Sequence, residues 1–362
     1  MPLPRRHTSR AALLSLAALL AASLAVPACS RREGPVRESR DALGTVVTVT
    51  AYAEDDGAAR EAVDAAYAGM AEVESALDAH DESSAVAAFN RDPYRPQPLP
   101  AEAVEVLRIV DSLDVGEWFS PAMIGVVRLY GFEEGGRVPE ERELSEQVAL
   151  AASFGPAGPS AAEPPPGAAS DEVRWAFSSR PATAPPSDPP GLDFGGAAKG
   201  VALDRAAKRL RDGGVAAALL SSGSSTVAYG GKPDGEPWRV GLEDPREPET
   251  VVATVHADGG LVLSTSGDYQ RYFERGDARY HHILDPSTGR PARGLQSLTV
   301  LGGELTALES DILSTALFVA GGERAEAYAR ERGLGLVTVD DEGLVHVVQP
   351  AGEGVRVQRA AP

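Results

Sequence analysis

Apolar residues recur at helical spacing in several stretches of the chain and at strand spacing in others. Five of them share one face at intervals of three or four residues, namely Val63, Tyr67, Met70, Val73 and Leu77. This spacing predicts an amphipathic helix, and residues 101–113 predict another. Val and Thr alternate over residues 44–52, and this two-residue period predicts a half-buried strand.

The second half of the chain contains a series of short β-forming runs separated by turn residues. They lie at residues 216–220, 226–229, 238–242, 251–256, 260–264 and 280–284. Their close succession predicts antiparallel hairpins. Helices are predicted at residues 201–211 and 307–320, the second after a strand at 298–301. Strands in meanders with helices grouped apart indicate an α+β fold, with mostly antiparallel sheets flanked by helices.

One segment interrupts this pattern. Residues 156–190 are rich in Pro, Ala, Gly and Ser, with a single strand candidate at 173–178. The stretches on either side do not each close a core. We therefore expect a surface connection within one domain and not a border between two domains.

The N-terminus has the pattern of an export signal. Three arginines precede an uncharged apolar run at residues 11–26, which is too short for a stable membrane span. The next residues complete a Val-Pro-Ala-Cys sequence that looks like a bacterial lipobox, in which Cys29 is acylated. The alternative is ordinary secretory cleavage with an incidental cysteine. We predict a signal peptide over residues 1–28, a tether over 29–40 and one domain over 41–350.

Composition and charge restrict the ligands of that domain. The chain carries a formal net charge of -19, and its basic leader makes the remainder more acidic still. Nucleic acid would be repelled, so we expect no nucleic-acid partner. Any anionic ligand requires a local positive group. Cys29 is the only cysteine, so a metal ion in the domain needs oxygen or imidazole ligands.

A glycine-rich cluster precedes the predicted helix at residues 201–211. Residues 192–200 read Leu-Asp-Phe-Gly-Gly-Ala-Ala-Lys-Gly. Glycines let the backbone approach a ligand closely, and the helix start offers N–H groups to an anion, with Lys199 adding charge. Close packing of the helix is the equally weighted alternative.

Two histidines lie beside a turn with the sequence Asp-Pro-Ser-Thr-Gly at residues 285–289. That turn alone indicates only a loop. His281 and His282 are adjacent on a predicted strand, so they face opposite sides and at most one lines a given site.

A third cluster lies on the helix predicted at residues 307–320. Asp311 and Thr315 are separated by four residues, which places both oxygens on one helix face. A carboxylate and a hydroxyl together suit a hard cation such as Mg²⁺. The alternative is an exposed Asp and a Thr that donates to the backbone.

In order and spacing, the three clusters resemble the ApbE family, the FAD:protein FMN transferases. That family shows an Asp-Leu-Gly-Gly-x-Ala-Lys-Gly stretch, a Thr-Ser-Gly-Asp-Tyr stretch, a His-x-Ile-Asp-Pro-x-Thr-Gly-x-Pro turn and a late Asp-x-x-x-Thr helix. All four have counterparts here, and weaker similarity extends over residues 43–321. The resemblance implies an ApbE-like single domain.

The resemblance also implies a role for each matching residue. Asp311 and Thr315 correspond to Mg²⁺ ligands, with the backbone carbonyl of Gly196 as a third. His282 matches the family histidine and is the candidate general base. The flavin-nucleotide contacts correspond to Leu43, His80, Trp118, Phe119, Ser120, Asp193, Lys199 and Leu284.

Two stretches depart from the family pattern. Residues 120–125 replace an Asp-Pro-Thr-Val-Gly-Pro stretch, and residues 221–225 (Ser-Ser-Gly-Ser-Ser) replace an Asn-x-Gly-Gly-Asp loop. Each change removes a carboxylate near the expected ligand. These departures bear on nucleotide affinity and acceptor choice more than on reaction type.

The implied reaction is a Mg²⁺-dependent transfer of FMN from FAD, the substrate, to a Thr or Ser hydroxyl of an acceptor protein, with release of AMP. The acceptor would be an exported or membrane protein with a segment similar to Asp-Gly-x-Thr/Ser-Gly-Ala-Thr. The lipid on Cys29 would hold the enzyme at a bacterial membrane, outside the cytoplasm. The alternatives are a FAD pyrophosphatase that gives FMN and AMP, and a flavin-binding lipoprotein without turnover.

Overall fold

A computed structural model of the chain describes residues 34–132, 134–157, 173–178, 189–351 and 354–360. Within this part, the strand pairings are antiparallel in all four sheets and helices flank the largest one. The predicted α+β class is therefore confirmed. The predicted signal peptide and Cys29 lie outside the described residues. No helix within those residues has the length and apolar character needed to cross a membrane.

The strands of the described part divide into one large and three small sheets. They are β1 (Val36–Ala42), β2 (Thr45–Tyr52), β3 (Phe154–Ala157), β4 (Arg174–Phe177), β5 (Ala217–Ser221), β6 (Ser225–Tyr229), β7 (Trp238–Glu243), β8 (Val251–Ala257), β9 (Leu261–Gly267), β10 (Tyr272–Arg275), β11 (Ala278–His281), β12 (Leu295–Gly302), β13 (Gly335–Asp340), β14 (Val345–Val348) and β15 (Val355–Arg359). The central sheet has the order β1-β2-β5-β6-β9-β12-β13-β14. The small sheets are β15-β8-β7, β10-β11 and β3-β4.

The described part contains eight helices. They are α1 (Asp56–Leu77), α2 (Ala85–Arg91), α3 (Ala101–Leu113), α4 (Ile124–Tyr130), α5 (Glu141–Ala151), α6 (Ala198–Asp212), α7 (Ala307–Ala320) and α8 (Gly322–Arg332). The four predicted from periodicity correspond to α1, α3, α6 and α7. The five apolar residues of the predicted helix at 63–77 are all buried in α1.

Both faces of the central sheet are covered, which creates two hydrophobic cores. Val49 and Leu220 face the helices and belong to the larger core. Ala217 and Leu263 point to the other face, where they meet Trp238 of the three-stranded sheet. Because successive residues of a strand alternate between faces, a strand in the middle of these layers is apolar throughout. All eight residues of β12 are buried for this reason.

Two predicted boundaries are wrong. The tether expected over residues 29–40 ends before Val36, because β1 starts there and pairs with β2 along its whole length. The charged sequence of β1 does not show a strand pattern, because β1 lies at the sheet edge, where polar side chains are tolerated. The domain also continues past residue 350, since β15 pairs with β8.

The predicted strand at 173–178 is present as β4, which pairs with β3. The rest of the Pro-rich connection, residues 158–172 and 179–188, lies outside the described part. The strand predicted at 280–284 corresponds to β11, which ends earlier, at His281. It pairs with β10, a strand that the sequence pattern did not indicate.

Candidate active site

The glycine-rich segment at residues 192–200 leads directly into α6. Asp193 Oδ1 accepts a hydrogen bond from the Gly195 N–H at 2.7 Å, which folds the chain back before the helix. Gly200 is required by packing, because a Cβ there would lie 2.5 Å from the carbonyl oxygen of Ala307. The missing side chain lets the start of α6 approach the start of α7.

The helix start of α6 binds a carboxylate from within the protein. The Gly200 N–H donates to Asp311 Oδ2 at 3.0 Å, and the Ser225 hydroxyl donates to Asp311 Oδ1 at 3.2 Å. The sequence pattern suggested that the first turn of α6 is available to an external anion. In the structure, part of this turn already binds Asp311. The positive end of the helix dipole favours the charged form of this carboxylate.

Asp311 is buried, with 5% of its surface exposed. Burial raises the pKa of Asp311, while the nearby Lys199 ammonium and the two hydrogen bonds lower it. The side chain is thus held in place by donors on both oxygens, and each oxygen retains a lone pair for another partner.

Asp311 and Thr315 line the same cavity, as their spacing on α7 predicts. Thr315 Oγ1 donates to the backbone carbonyl of Asp311 at 3.3 Å and lies 3.3 Å from the Ser266 hydroxyl. A Cβ added to Gly196 would be 3.4 Å from Thr315 Oγ1, so Gly196 lies beside Thr315. The back-bonded threonine of the alternative interpretation is present, and it does not prevent the three residues from meeting.

These three groups have the donor chemistry that a hard cation requires. A carboxylate, a hydroxyl and a main-chain carbonyl are all oxygen donors, which suit Mg²⁺ better than a soft metal. Across the residues that the structure describes, no three Asp, Glu, His or Cys side chains form a cluster that could hold a metal ion. A cation at this point would therefore combine one carboxylate with neutral oxygens and retain water.

The two adjacent histidines face opposite sides, as predicted. His281 is buried, its Nε2 lies 2.9 Å from the carbonyl oxygen of Ala292, and its ring meets Phe318 edge-on. His282 lines the cavity that contains Asp311. Its Nδ1 lies 3.2 Å from the carbonyl oxygen of Arg271. Of the two, only His282 is placed to reach a ligand in this cavity.

The environment of His282 disfavours its charged form. Burial in the cavity wall, followed by the positive charges of Arg271 and Lys199, lowers the pKa of His282 to about 3. The imidazole of the ligand-free protein is therefore neutral at physiological pH and able to accept a proton.

The sequence-predicted residues other than Cys29 and Leu43 line one cavity of about 430 Å³. They come from five separate parts of the chain and converge at the helix side of the central sheet: His80, Trp118, Phe119, Ser120, Asp193, Gly196, Lys199, His282, Leu284, Asp311 and Thr315. This volume lies in the range of small-molecule sites. Its lining includes both aromatic side chains and charged or polar side chains.

A second cavity, of about 860 Å³, adjoins the first and contains Leu43. Seven residues line both cavities: His80, Asp193, Gly195, Lys199, Thr265, Gln270 and Arg271. The two cavities therefore form one continuous site, with Lys199 and Arg271 at their junction.

Leu43 occupies an unusual backbone conformation at the mouth of the second cavity. Leu43 and Gly44 form the two-residue turn between β1 and β2, with φ values of 56° and 68°. Such turns strongly prefer Asn, Asp or Gly at the first position. A leucine here is strained locally, which is typical of residues selected for their side chain.

Several lining residues were missed by the sequence reading. Thr265, Ser266, Gln270 and Arg271 lie in or just after β9, around the Thr-Ser-Gly-Asp-Tyr stretch that carried part of the resemblance. That stretch was the available signal. The serine loop at residues 222–224, which replaces the family's acidic loop, lines the second cavity.

Comparisons with known proteins identify relatives of this chain. The sequence model of the ApbE family matches residues 43–338. A FAD:protein FMN transferase from Rhodobacter capsulatus is 41% identical over 157 residues, which cover 42% of this chain and 29% of that protein. A protein with the same name from Haemophilus influenzae is 27% identical over 357 residues, 92% of this chain and 95% of its own length.

For several of the curated relatives the match covers less than half of their own length. This share is 29% for the R. capsulatus protein and 43% for a Klebsiella pneumoniae protein. Among solved structures, the ApbE protein from Thermotoga maritima superposes with a TM-score of 0.72 at 27% identity, covering 86% of this chain and 96% of that one. The Pseudomonas stutzeri flavinyl transferase ApbE gives 0.67 at 28% identity, covering 90% and 94%.

Proposed function

The chain belongs to the ApbE family, and from this we propose that it is a FAD:protein FMN transferase. The observation that carries the proposal is the continuous double cavity with Lys199 and Arg271 at its junction. FAD consists of two ring systems joined by a pyrophosphate. A site with a compartment on each side of a cationic strip has the matching arrangement of shape and charge.

The charge of the protein makes this local device necessary. With a formal net charge of -19, the surface as a whole disfavours a pyrophosphate. Lys199 and Arg271 supply positive charge at the junction of the cavities. Trp118 and Phe119 supply flat apolar surface in the first cavity, where a ring system is expected to stack.

We further propose that the site binds Mg²⁺. Asp311, Thr315 and the backbone carbonyl of Gly196 would hold the ion, as their oxygen chemistry supports. When bound, the ion supplies positive charge against the pyrophosphate oxygens. Gly200 and Ser225 orient the Asp311 carboxylate toward the cavity through their hydrogen bonds.

The proposed reaction transfers the FMN phosphoryl group from AMP to a hydroxyl of the acceptor protein. The hydroxyl oxygen of an acceptor Thr or Ser forms a bond to the FMN-side phosphorus, and the bond from that phosphorus to the bridging oxygen breaks. AMP leaves with this oxygen, and the hydroxyl proton passes to His282. Lys199 and Arg271 hold the pyrophosphate while the charge shifts to the leaving group, and this positioning supplies most of the rate. The product is an FMN phosphoester on the acceptor.

The experiment that tests the proposal is intact-mass spectrometry of an acceptor. A protein with an Asp-Gly-x-Thr/Ser-Gly-Ala-Thr-like segment is incubated with FAD, MgCl₂ and the purified enzyme. A mass gain equal to FMN on the acceptor Thr or Ser is expected. Release of AMP without an acceptor, and no gain on the acceptor, would indicate a FAD pyrophosphatase. FAD binding with neither product would indicate a binding protein without turnover.

Asp311→Ala provides the matched test of the metal proposal. We expect loss of the Mg²⁺-dependent transfer, because the variant lacks the only carboxylate of the set. Glu323→Ala is the control, since Glu323 is an acidic residue in the first turn of α8 and lies outside both cavities. Full activity of the Asp311 variant would refute the metal assignment. Calorimetric titration of Mg²⁺ into both variants adds a readout that is independent of turnover.

We also propose that the enzyme is exported and lipid-anchored through Cys29, outside the cytoplasm on a bacterial membrane. The leader and the Val-Pro-Ala-Cys sequence support this proposal. The anchor would keep the site close to acceptors that are themselves exported or embedded in the membrane.

A further inference from the structure

A main-chain carbonyl contacts the ring of His282. The Arg271 carbonyl oxygen lies 3.2 Å from His282 Nδ1 and accepts the His282 backbone N–H at 3.1 Å. A carbonyl oxygen can only accept, so the ring contact requires a proton on Nδ1. The free lone pair is then on Nε2. In the proposed reaction, Nε2 is the nitrogen that takes the proton from the hydroxyl of the acceptor protein. The carbonyl therefore selects one tautomer and one ring orientation.

The position of this carbonyl is fixed by its neighbours in the chain. Arg271 ends the short connection from β9 to β10, and that connection begins at Asp268. The Asp268 carboxylate accepts two hydrogen bonds from Arg246, at 2.8 and 2.7 Å, and Arg279 lies 3.5 Å away. The Asp268 N–H also donates to the carbonyl oxygen of Gln296 in β12 at 3.0 Å. We call Asp268, Arg246 and Arg279 the Asp268 hub.

The same hub holds the residue on the other side of Arg271. The Arg279 guanidinium lies over the ring of Tyr272, 4.2 Å from its centroid. Tyr272 pairs with His281 across the β10–β11 hairpin, next to His282. Arg271 thus lies between two anchored residues, Asp268 and Tyr272. A shift at either end would move its carbonyl relative to His282.

The hub holds this connection with a buried charged group. The Asp268 side chain is 10% exposed, and burying a carboxylate is unfavourable unless its partners are well placed. Apolar packing would stabilise the connection as well, but it would not fix direction as a bidentate Arg–carboxylate pair does. Arg246 comes from the β7–β8 connection, so three separate parts of the chain meet at one carboxylate.

We infer that the Asp268 hub is a positioning device for the general base, acting through the Arg271 carbonyl on the tautomer of His282. This inference rests on the proposed function, in which His282 accepts a proton. None of the three hub residues lines either cavity, so they act through the connection and not by touching substrate.

The direct test observes the His282 ring in the free enzyme. The chain has six histidines, so selective ¹⁵N-histidine labelling gives a tractable spectrum, and His282→Gln assigns the signal. We expect the Nδ1–H tautomer in the wild type and a mixture of tautomers in Arg246→Ala. Arg239→Ala is the control, because Arg239 is an exposed arginine on β7 that forms an ion pair with Glu236 at 3.3 Å and lines neither cavity. An unchanged His282 spectrum in folded Arg246→Ala would overturn the inference.

The kinetic test separates positioning from general stability. Arg246→Ala should lower kcat for FMN transfer about tenfold, by analogy with the loss of a group that orients a metal-ligating histidine, while the KM for FAD changes less than about twofold. Arg246→Lys should recover part of kcat because it restores a cation. Equal loss of kcat in Arg239→Ala, or a loss that appears only in KM, would contradict a positioning role.

The two levels of proposal fail in different ways. If the wild type transfers no FMN, the proposed function fails, and the ¹⁵N spectra still decide whether the hub orients His282. If the wild type is active and the hub variants keep both tautomer and kcat, only the inference fails. Should Arg246→Ala not fold, Arg246→Gln retains a donor to Asp268 and serves for both measurements.

Discussion

At the scale of one residue, Leu43 combines an unfavourable backbone conformation with a proposed ligand contact. Its left-handed backbone costs an L-residue about 1–2 kcal/mol, and its side chain packs against the core while lining the second cavity. Asn, Asp or Gly would adopt this backbone conformation with less strain, but none of them would supply the apolar surface.

We predict that Leu43→Asn weakens FAD binding about tenfold, because it loses roughly one buried side-chain contact with the ligand. The free energy of unfolding should change by less than about 1 kcal/mol, since relief of strain and loss of packing oppose each other. Calorimetric titration and denaturant unfolding measure the two effects. Asp114→Gly is the control, because Asp114 is also left-handed, at φ 56°, but lies in neither cavity. Unchanged FAD affinity in Leu43→Asn would argue against a ligand contact.

The pKa of His282 predicts a difference between two pH profiles. Burial, Arg271 and Lys199 lower the pKa to about 3 in the free protein. The base form therefore persists as the pH falls, and kcat/KM, which reports the free enzyme, should show no acid limb from His282 near its ordinary value of about 6.5. Bound pyrophosphate offsets the two positive charges and raises the pKa, so the acid limb of kcat should lie at higher pH.

These profiles are measured for FMN transfer from about pH 5 to about pH 9, where an unperturbed histidine would titrate in full view. An acid limb of kcat/KM centred near the ordinary histidine value would contradict the predicted environment of His282. The same limb in His282→Ala would show instead that another group is responsible.

Residue type allowed most of the site to be predicted. Asp311, Thr315, Lys199 and His282 carry chemistry that is recognisable in a motif, and the structure brings them to one cavity. Arg271 has no such signature, because an arginine in a polar stretch looks like a surface residue. Its position became visible only when the β10–β11 hairpin brought it next to His282.

At the scale of elements, the site depends on how α6 and α7 meet. Asp204 of α6 accepts hydrogen bonds from the N–H groups of Ala307 and Leu308, both at 2.9 Å. These are the first residues of α7, the helix that carries Asp311. Burial raises the pKa of Asp204, opposed by the same two hydrogen bonds. The contact therefore binds the second turn of α6 to the N-terminus of α7.

We predict that Asp204→Ala destabilises the fold by about 1–3 kcal/mol, because two helix N–H groups lose their acceptor in a partly buried setting. Asp212→Ala is the matched control from the same helix. Asp212 forms an exposed ion pair with Lys208 at 2.6 Å, and its loss should cost less than about 0.5 kcal/mol. Denaturant unfolding at one pH compares the two. Equal stability of both variants would contradict the proposed helix junction.

Elements with a long, clear period were the most predictable. Most of the strands that were missed lie at edges, although β13, a buried strand between β12 and β14, was not predicted either. α1 and β12 have apolar patterns that their burial imposes, so their sequences reveal them. β1 and β10 are short or polar strands that are formed through pairing with β2 and β11. Their sequences look like a tether and a loop because exposed edge strands need no apolar face. β15 was missed for the same reason, as only Val357 is buried in it.

At the scale of the whole molecule, charge and location have to be reconciled with the chemistry. The chain is strongly acidic, yet its proposed substrate is anionic and its proposed acceptors lie at a membrane. The site meets the first requirement locally, through Lys199 and Arg271. An anchor at Cys29 would meet the second by raising the local concentration of acceptor around the site.

The anchor and the chemistry should therefore separate cleanly. The predicted site residues lie between positions 43 and 315, and none is near residue 29 in sequence. We predict that Cys29→Ser moves the protein from the membrane fraction to the soluble fraction of an expressing bacterium and abolishes labelling by radioactive palmitate. The purified variant should transfer FMN to a soluble acceptor at the wild-type rate. In cells, flavin attachment to a membrane acceptor should fall, because the two proteins no longer share a surface. Wild-type protein that is soluble and unlabelled would refute the anchor, whereas loss of transfer in the purified variant would show that Cys29 contributes to the fold or the site.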